Sequence, residues 1–207
     1  MALEARKVTC YRGQNLLFQD LSFCLNAGEA LHLVGQNGSG KTTLLEIMAG
    51  SFLCETGSFY FQDTELKSDQ AIFIGVQKGF KSALTITENL IFWCQVYEAD
   101  SKNIVKALSY FGLTAFESTF YSDLSTGQKQ RLSLARLLLV SRPLWLLDEP
   151  FLGLDQKNGE KLKNLCRQHL EKGGLLCVAS HGKLGIKAQN LNLRDFYTPN
   201  TFGYYEA

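Results

Sequence analysis

The sequence predicts an α/β fold with a mainly parallel sheet core, antiparallel strands at the N-terminus and an inserted helical lobe. Three observations carry this. A short apolar run, Ala30–Val34, leads through a glycine-rich loop into an amphipathic helix beginning near Lys41. Two more apolar runs, Leu144–Leu147 and Leu175–Ala179, flank a helix-period segment over Lys157–Lys172. Between these ends, from Thr87 to about Val140, the pattern is helical throughout.

Taken in order, Ala2–Leu25 reads as two strands joined by a turn at Arg12-Gly13-Gln14-Asn15, because apolar and polar residues interleave on both sides of it. Ala30-Leu31-His32-Leu33-Val34 ends at a glycine and has the apolar continuity of a buried strand. The helix from Lys41 turns Leu44, Leu45, Ile47 and Met48 inward until Gly50 stops it. Ser58–Gln62 and Ala71–Val76 are further strands. Glu88–Tyr97, Lys102–Phe111 and Thr126–Leu139 each space apolar residues three and four apart, as helices of the lobe do.

The 207 residues carry 21 basic and 20 acidic side chains, a net charge of +1, with 45% hydrophobic and 20% charged residues. That balance excludes a disordered or fibrous chain, and near-neutrality gives no field to capture nucleic acid. The longest apolar runs are five residues, Leu90–Cys94 and Leu175–Ala179, against the roughly 20 needed to span a bilayer. Glu4, Arg6 and Lys7 interrupt the N-terminal stretch, so no signal peptide is expected there. Six cysteines (Cys10, Cys24, Cys54, Cys94, Cys166, Cys177) form no C-x-x-C pair, so they read as small buried hydrophobes in a reducing, cytosolic setting.

Gly35-Gln36-Asn37-Gly38-Ser39-Gly40-Lys41-Thr42 fits G-x-x-x-x-G-K-[ST], placed after a strand and before a helix as the motif requires. Gly35, Gly38 and Gly40 let the backbone curl so that successive N–H groups face phosphate oxygens. The helix start adds partial positive charge. Lys41 is expected to reach the β- and γ-phosphates and Thr42 to ligate Mg²⁺. Thr43 belongs to the same phosphate-binding loop. Leu144-Trp145-Leu146-Leu147-Asp148-Glu149-Pro150 then reads as a buried strand that delivers two acids to the carboxyl end of the sheet, where ligands of such sheets bind. Asp148 is the expected Mg²⁺ partner, and Glu149 is placed to orient or deprotonate an attacking water.

Leu124-Ser125-Thr126-Gly127-Gln128, with these two motifs, resembles the signature of ABC (ATP-binding cassette) ATPases, usually written LSGGQ. The resemblance implies a P-loop NTPase fold of the ABC nucleotide-binding type. It also implies a head-to-tail homodimer in which Ser125, Gly127 and Gln128 of one chain face the γ-phosphate held by the other. The family's other landmarks follow in order. Tyr11, 24 residues before Gly35, matches the aromatic that stacks on adenine. Gln77 matches the glutamine that touches Mg²⁺ and the attacking water. Leu154-Asp155 matches the D-loop, and His181 the histidine that contacts the γ-phosphate.

Ala27-Gly28-Glu29-Ala30-Leu31, the phosphate loop through Leu45, Ala83–Leu90 and Leu144–Phe151 are similar to the cytochrome c maturation branch, whose ATP-binding subunits are often called haem exporters. The whole chain, 1–207, is then one nucleotide-binding domain with its lobe at about 77–140. It would be peripheral on the cytoplasmic face of the inner membrane, powering haem export or release of haem from its carrier through integral membrane permease subunits. An ATPase of another transporter, for solute import or lipoprotein release, is the alternative. The Lys78–Ile86 segment is the expected contact with the membrane partner, with a wholly internal role for Phe80 and Leu84 as the other reading. No direct haem site is expected, since His32, His169 and His181 form no haem-ligand pattern. Two departures stand out: Thr126 replaces the first signature glycine, and Gly153 stands where the D-loop commonly has alanine. Asn200–Ala207 matches nothing in the family, and a packed edge segment is the favoured reading over a binding motif.

Overall fold

The computed structural model describes residues 2–76, 78–182 and 184–197; Gln77 and the 200–207 tail lie outside the described residues. Nine strands and five α-helices alternate along this part of the chain. β1 (Ala2–Arg12) and β2 (Asn15–Asn26) form the antiparallel hairpin that the sequence pattern predicts, turning at the expected residues. β1 also pairs with β4 (Thr56–Phe61), which pairs in turn with the two-residue β5 (Thr64–Glu65), giving a four-stranded antiparallel sheet. The second sheet is parallel throughout, in the order β6 (Ala71–Ile74), β7 (Leu144–Asp148), β8 (Leu175–Ala179), β3 (Ala30–Val34), β9 (Gln189–Asn192).

Strand alternation divides the core in two. Leu144, Leu146, Leu175 and Cys177 turn to one face, where they meet α1 (Lys41–Met48) and the antiparallel sheet through Leu44, Leu45, Phe18 and Leu21. Trp145, Leu147, Leu176 and Val178 turn to the other, where they meet the helical lobe and α5 (Gln156–Glu171). These five-residue strands are buried along their whole length. α1 therefore lies between the two sheets, and its first turn is fixed beside the ends of β3, β7 and β8.

The lobe comprises α2 (Ile86–Val96), α3 (Ile104–Tyr110) and α4 (Thr126–Ala135), all between β6 and β7 in the chain. Thr85 caps α2: its hydroxyl accepts from the Glu88 N–H (3.2 Å) while the Glu88 carboxylate accepts from the Thr85 N–H (2.7 Å). α4 stops short of the expected Leu139. Its end tightens into a 3₁₀ turn over Arg136–Leu138, where the buried Arg136 guanidinium donates back to the Ser133 carbonyl (3.2 Å) and hydroxyl (3.1 Å). Phe80 is half-buried: it packs on Tyr121 (ring centroids 5.0 Å) and edge-on to Trp93 (6.3 Å), so it is neither wholly internal nor a free contact residue, and Leu84 is likewise half-buried.

Four cysteines are buried as expected (Cys10, Cys94, Cys166, Cys177), but Cys24 is exposed and Cys54 half-buried; all six are free thiols. Cys24 alternates outward on the antiparallel edge strand β2, the solvent side of a one-faced sheet. No helix among the described residues is long and apolar enough to cross a membrane.

His169, near the end of α5, stacks on Trp145 at 3.9 Å between ring centroids and donates through Nε2 to the Leu175 carbonyl (3.1 Å). Burial holds its pKa below the ordinary 6.5, only partly offset by the Leu175 and Pro143 carbonyls. The unfolded chain thus takes up this proton first. Stability should be unaffected by His169 above pH 6.5 and should fall as pH drops from there, until the folded imidazole itself charges. Urea midpoints measured from pH 7.5 to 5 should show this fall, with a shallower slope in His169→Gln.

Candidate functional site

β3, β7 and β8 run parallel, so the loops that leave their carboxyl ends meet on one side of the sheet and enclose a cleft of about 640 Å³. The loop after β3 contributes Asn37, Gly38, Gly40, Lys41, Thr42 and Thr43. β7 delivers Asp148 and Glu149, and the loop after β8 delivers His181.

Gly35, Gly38 and Gly40 have φ of +144°, +80° and +95°, which a side chain would strain. At Gly40 a Cβ would also press on Leu17 and Phe18, 3.2–3.4 Å away. Gly40 caps α1 without a side chain, and no acidic residue stands in the first turn, so the free N–H groups there remain available to an outside acceptor. Lys41 is only 7% exposed, and its ammonium donates to the carbonyls of Gly35 (2.8 Å) and Gln36 (2.9 Å). Among the described residues no carboxylate forms an ion pair with it. A buried cation with carbonyl partners alone favours an anion beside it.

The Thr42 hydroxyl donates to Asp148 Oδ2 at 2.7 Å. Burial pushes the Asp148 carboxyl above its usual range, while the Thr42 hydrogen bond and the Lys41 charge pull it back. Two oxygen donors side by side suit a hard divalent cation. Among the described residues no cluster of three or more His, Cys, Asp or Glu accompanies them, so the remaining ligands would come from phosphate and water. Glu149 takes φ of +46°, and its N–H donates to the Ala179 carbonyl (2.8 Å), which ties the turn after β7 to β8. Glu149 Oε1 is buried without a hydrogen-bond partner and lies 3.6 Å from His181 Nε2. Gln130 of α4 is buried, donates to the Pro150 carbonyl (2.8 Å) and accepts from Lys78. It joins the lobe, the segment after β6 and the Asp-Glu-Pro turn at one point.

Residues 18–152 match the family model described as ABC transporter. Relatives include the cytochrome c biogenesis ATP-binding export protein CcmA of Yersinia pseudotuberculosis, 41% identical over 91% of this chain and 90% of that protein. CcmA of Bartonella henselae is 38% identical over 96% and 98%. The chain belongs to the ABC transporter family, in its CcmA branch. Among solved structures, a putative ABC transporter ATP-binding protein from Pyrococcus furiosus shares the fold at a TM-score of 0.83 with 21% identity, covering 96% of this chain and all of that one. A dimeric ATP-binding cassette bound to ADP and Pi shares it at 0.78 with 24% identity, covering 87% and 88%.

In this cassette the signature residues stand apart from the cleft. Ser125 caps α4, its hydroxyl accepting from the Gln128 N–H (3.3 Å) while Gln128 Oε1 accepts from the Ser125 N–H (2.7 Å). Asp155 of the D-loop caps α5 by accepting from the Asn158 N–H (2.8 Å). The two departures from the family pattern turn out to be neighbours: a Cβ on Gly153 (φ +76°) would lie 3.8 Å from Thr126 Cγ2. Gly35, Gln36 and Ser39 shape the loop rather than the main cleft wall, and Gln36 and Ser39 line a smaller adjoining cavity.

Tyr11 differs from its expected place. Arg12 is in the cleft wall, and successive strand residues face opposite ways, so the half-buried Tyr11 beside it is not among the lining residues. The wall at that end is Arg12, Asn15, Leu16 and Leu17 of the β1–β2 hairpin, with Tyr197 from the far end of the chain. None of these carries a local motif. The turn at Arg12–Asn15 is legible in the sequence as a hairpin, but nothing in it marks these residues as a cleft wall.

A Cβ on Gly127 would come within 2.9 Å of the Gly153 carbonyl oxygen, a backbone atom with little freedom to move. Gly127→Ala should therefore cost about 1–3 kcal/mol of stability, read as a thermal midpoint several degrees lower. Thr126→Ala, at an exposed position, should stay within about 0.5 kcal/mol of wild type.

Proposed function

We propose that this chain is the ATP-hydrolysing subunit of an ABC exporter for cytochrome c biogenesis, powering haem export or release of haem from its carrier. It works as a head-to-tail homodimer on integral membrane permease subunits, at the cytoplasmic face of the inner membrane. The whole chain is one nucleotide-binding domain with its lobe at about 77–140. The observation that carries the ATPase reading is the gathering around one cleft of a buried Lys41, without a carboxylate ion pair among the described residues, the Thr42–Asp148 pair and Glu149. Similarity to CcmA along almost the whole chain supports the process.

The triphosphate lies along Gly35–Thr43, where loop N–H groups and Lys41 replace water around its oxygens. Thr42, Asp148 and Gln77 would hold Mg²⁺, which neutralises charge on the phosphate oxygens when bound. Glu149 orients the attacking water and takes its proton as the oxygen bonds to the γ-phosphorus and the bond to the β-phosphate oxygen breaks. ADP and phosphate are the products. Lys41 stabilises the charge that collects on the leaving ADP, and His181 steadies the γ-phosphate. Ser125, Gly127 and Gln128 of the second protomer close over that phosphate and exclude bulk water.

Gln130 gives the lobe a direct hold on the catalytic turn through Pro150 and on the 78–86 segment through Lys78, a route by which phosphate release can reach the membrane partner. Of the three histidines, His32 bonds Ser180 (3.0 Å), His169 bonds Leu175 and stacks on Trp145, and the exposed His181 lies 3.6 Å from Glu149.

Glu149→Gln should keep ATP binding, lower turnover at least a hundredfold and accumulate a closed dimer on gel filtration; unchanged turnover would contradict its role. Lys41→Ala should weaken ATP binding itself in equilibrium titration, and wild-type affinity would remove the phosphate-loop reading.

A further inference from the structure

The phosphate-loop side of the cleft is built from local motifs; the hairpin side is not. There the wall consists of Arg12, Leu16 and Leu17 from the hairpin and Tyr197 from the last turn of the described chain. Tyr197 is 51% exposed, an amphipathic ring left in solvent beside a binding cleft. It also borders the adjoining cavity of about 200 Å³, which shares Leu16, Leu17, Asn37, Gly38 and Tyr197 with the cleft. Tyr197 thus borders both spaces.

The backbone that carries the ring is anchored from below. Leu193 is fully buried in the core beneath the antiparallel sheet, and Phe196 packs against the same cluster. The Asn192 side chain accepts from the Arg194 N–H (3.2 Å), and the Tyr197 N–H donates to the Arg194 carbonyl (3.1 Å), closing a 3₁₀ turn over Leu193–Phe196. Tyr197 is thus presented by an anchored turn, so little ordering entropy is lost when a ligand meets it.

We infer that Tyr197 is a nucleobase-stacking residue: the base of the bound nucleotide lies between the Tyr197 ring and the Leu16–Leu17 side of the hairpin. This rests on the ATP reading of the cleft and assigns its base end to the C-terminal turn, while Tyr11 stays outside the wall. Leu16 and Leu17 supply an apolar surface for one face of a purine and Tyr197 a π-surface for the other. A stack reads the face of a base rather than its edge, so adenine and guanine are held alike.

Calorimetric titration of the full chain with ATP, GTP and inorganic tripolyphosphate, each with Mg²⁺, tests this. In Tyr197→Ala, ATP and GTP affinities should both fall about tenfold while tripolyphosphate affinity stays at the wild-type value. Tyr197→Phe should retain ATP affinity. Unchanged ATP affinity in Tyr197→Ala, or an equal loss for tripolyphosphate, would overturn the assignment. So would a loss confined to Tyr11→Ala. A wild-type chain that binds neither ATP nor tripolyphosphate would overturn the nucleotide reading and this assignment together.

Discussion

A lysine buried to 7% exposure, with two backbone carbonyls as its hydrogen-bond acceptors, is the constraint around which this molecule is arranged. Taking an ammonium out of water is costly unless something negative completes its shell. The glycine loop can curl around that ammonium only because three of its residues sit at φ values that side chains resist. The uncapped start of α1 points further unmet N–H groups into the same space. An anion would resolve both imbalances at once, which supports the proposed phosphate site.

The rest of the fold keeps that site in register. α1 is clamped between the two sheets, so its first turn cannot drift from the ends of β7 and β8. Asp148 closes on Thr42 across 2.7 Å, and the Glu149 N–H ties to β8 through Ala179. The lobe is not a passive insert. Its apolar residues share a core with the opposite face of the same strands, and Gln130 fastens it to Pro150, one residue beyond the expected base.

Much of this was legible in the sequence, for a physical reason. β7 and β8 are buried on both faces and must be apolar throughout, so Leu144–Leu147 and Leu175–Ala179 announce themselves. The phosphate loop is legible because its chemistry is carried by consecutive residues. β9 was not, since Gln189-Asn190-Leu191-Asn192 is a polar edge strand held by backbone pairing to β3. The early end of α4 depends on the buried Arg136 turning back on Ser133, and Phe80 turns inward to meet Tyr121; neither follows from periodicity. The base end of the cleft was hidden for the same reason: Arg12, Leu16, Leu17 and Tyr197 meet only because the hairpin and the C-terminal turn dock side by side.

In the proposed dimer each chain holds half of an ATP site, with the phosphate loop of one protomer facing the signature of the other. Crosslinking measures this directly, using Asn37→Cys on one chain and Ser125→Cys on the other with a short bifunctional thiol reagent. A covalent dimer should form with MgATP when both cysteines are present, and either single variant alone, with its native thiols, should give only background. Hydrolysis at the full rate by a chain that never yields that product would contradict the account.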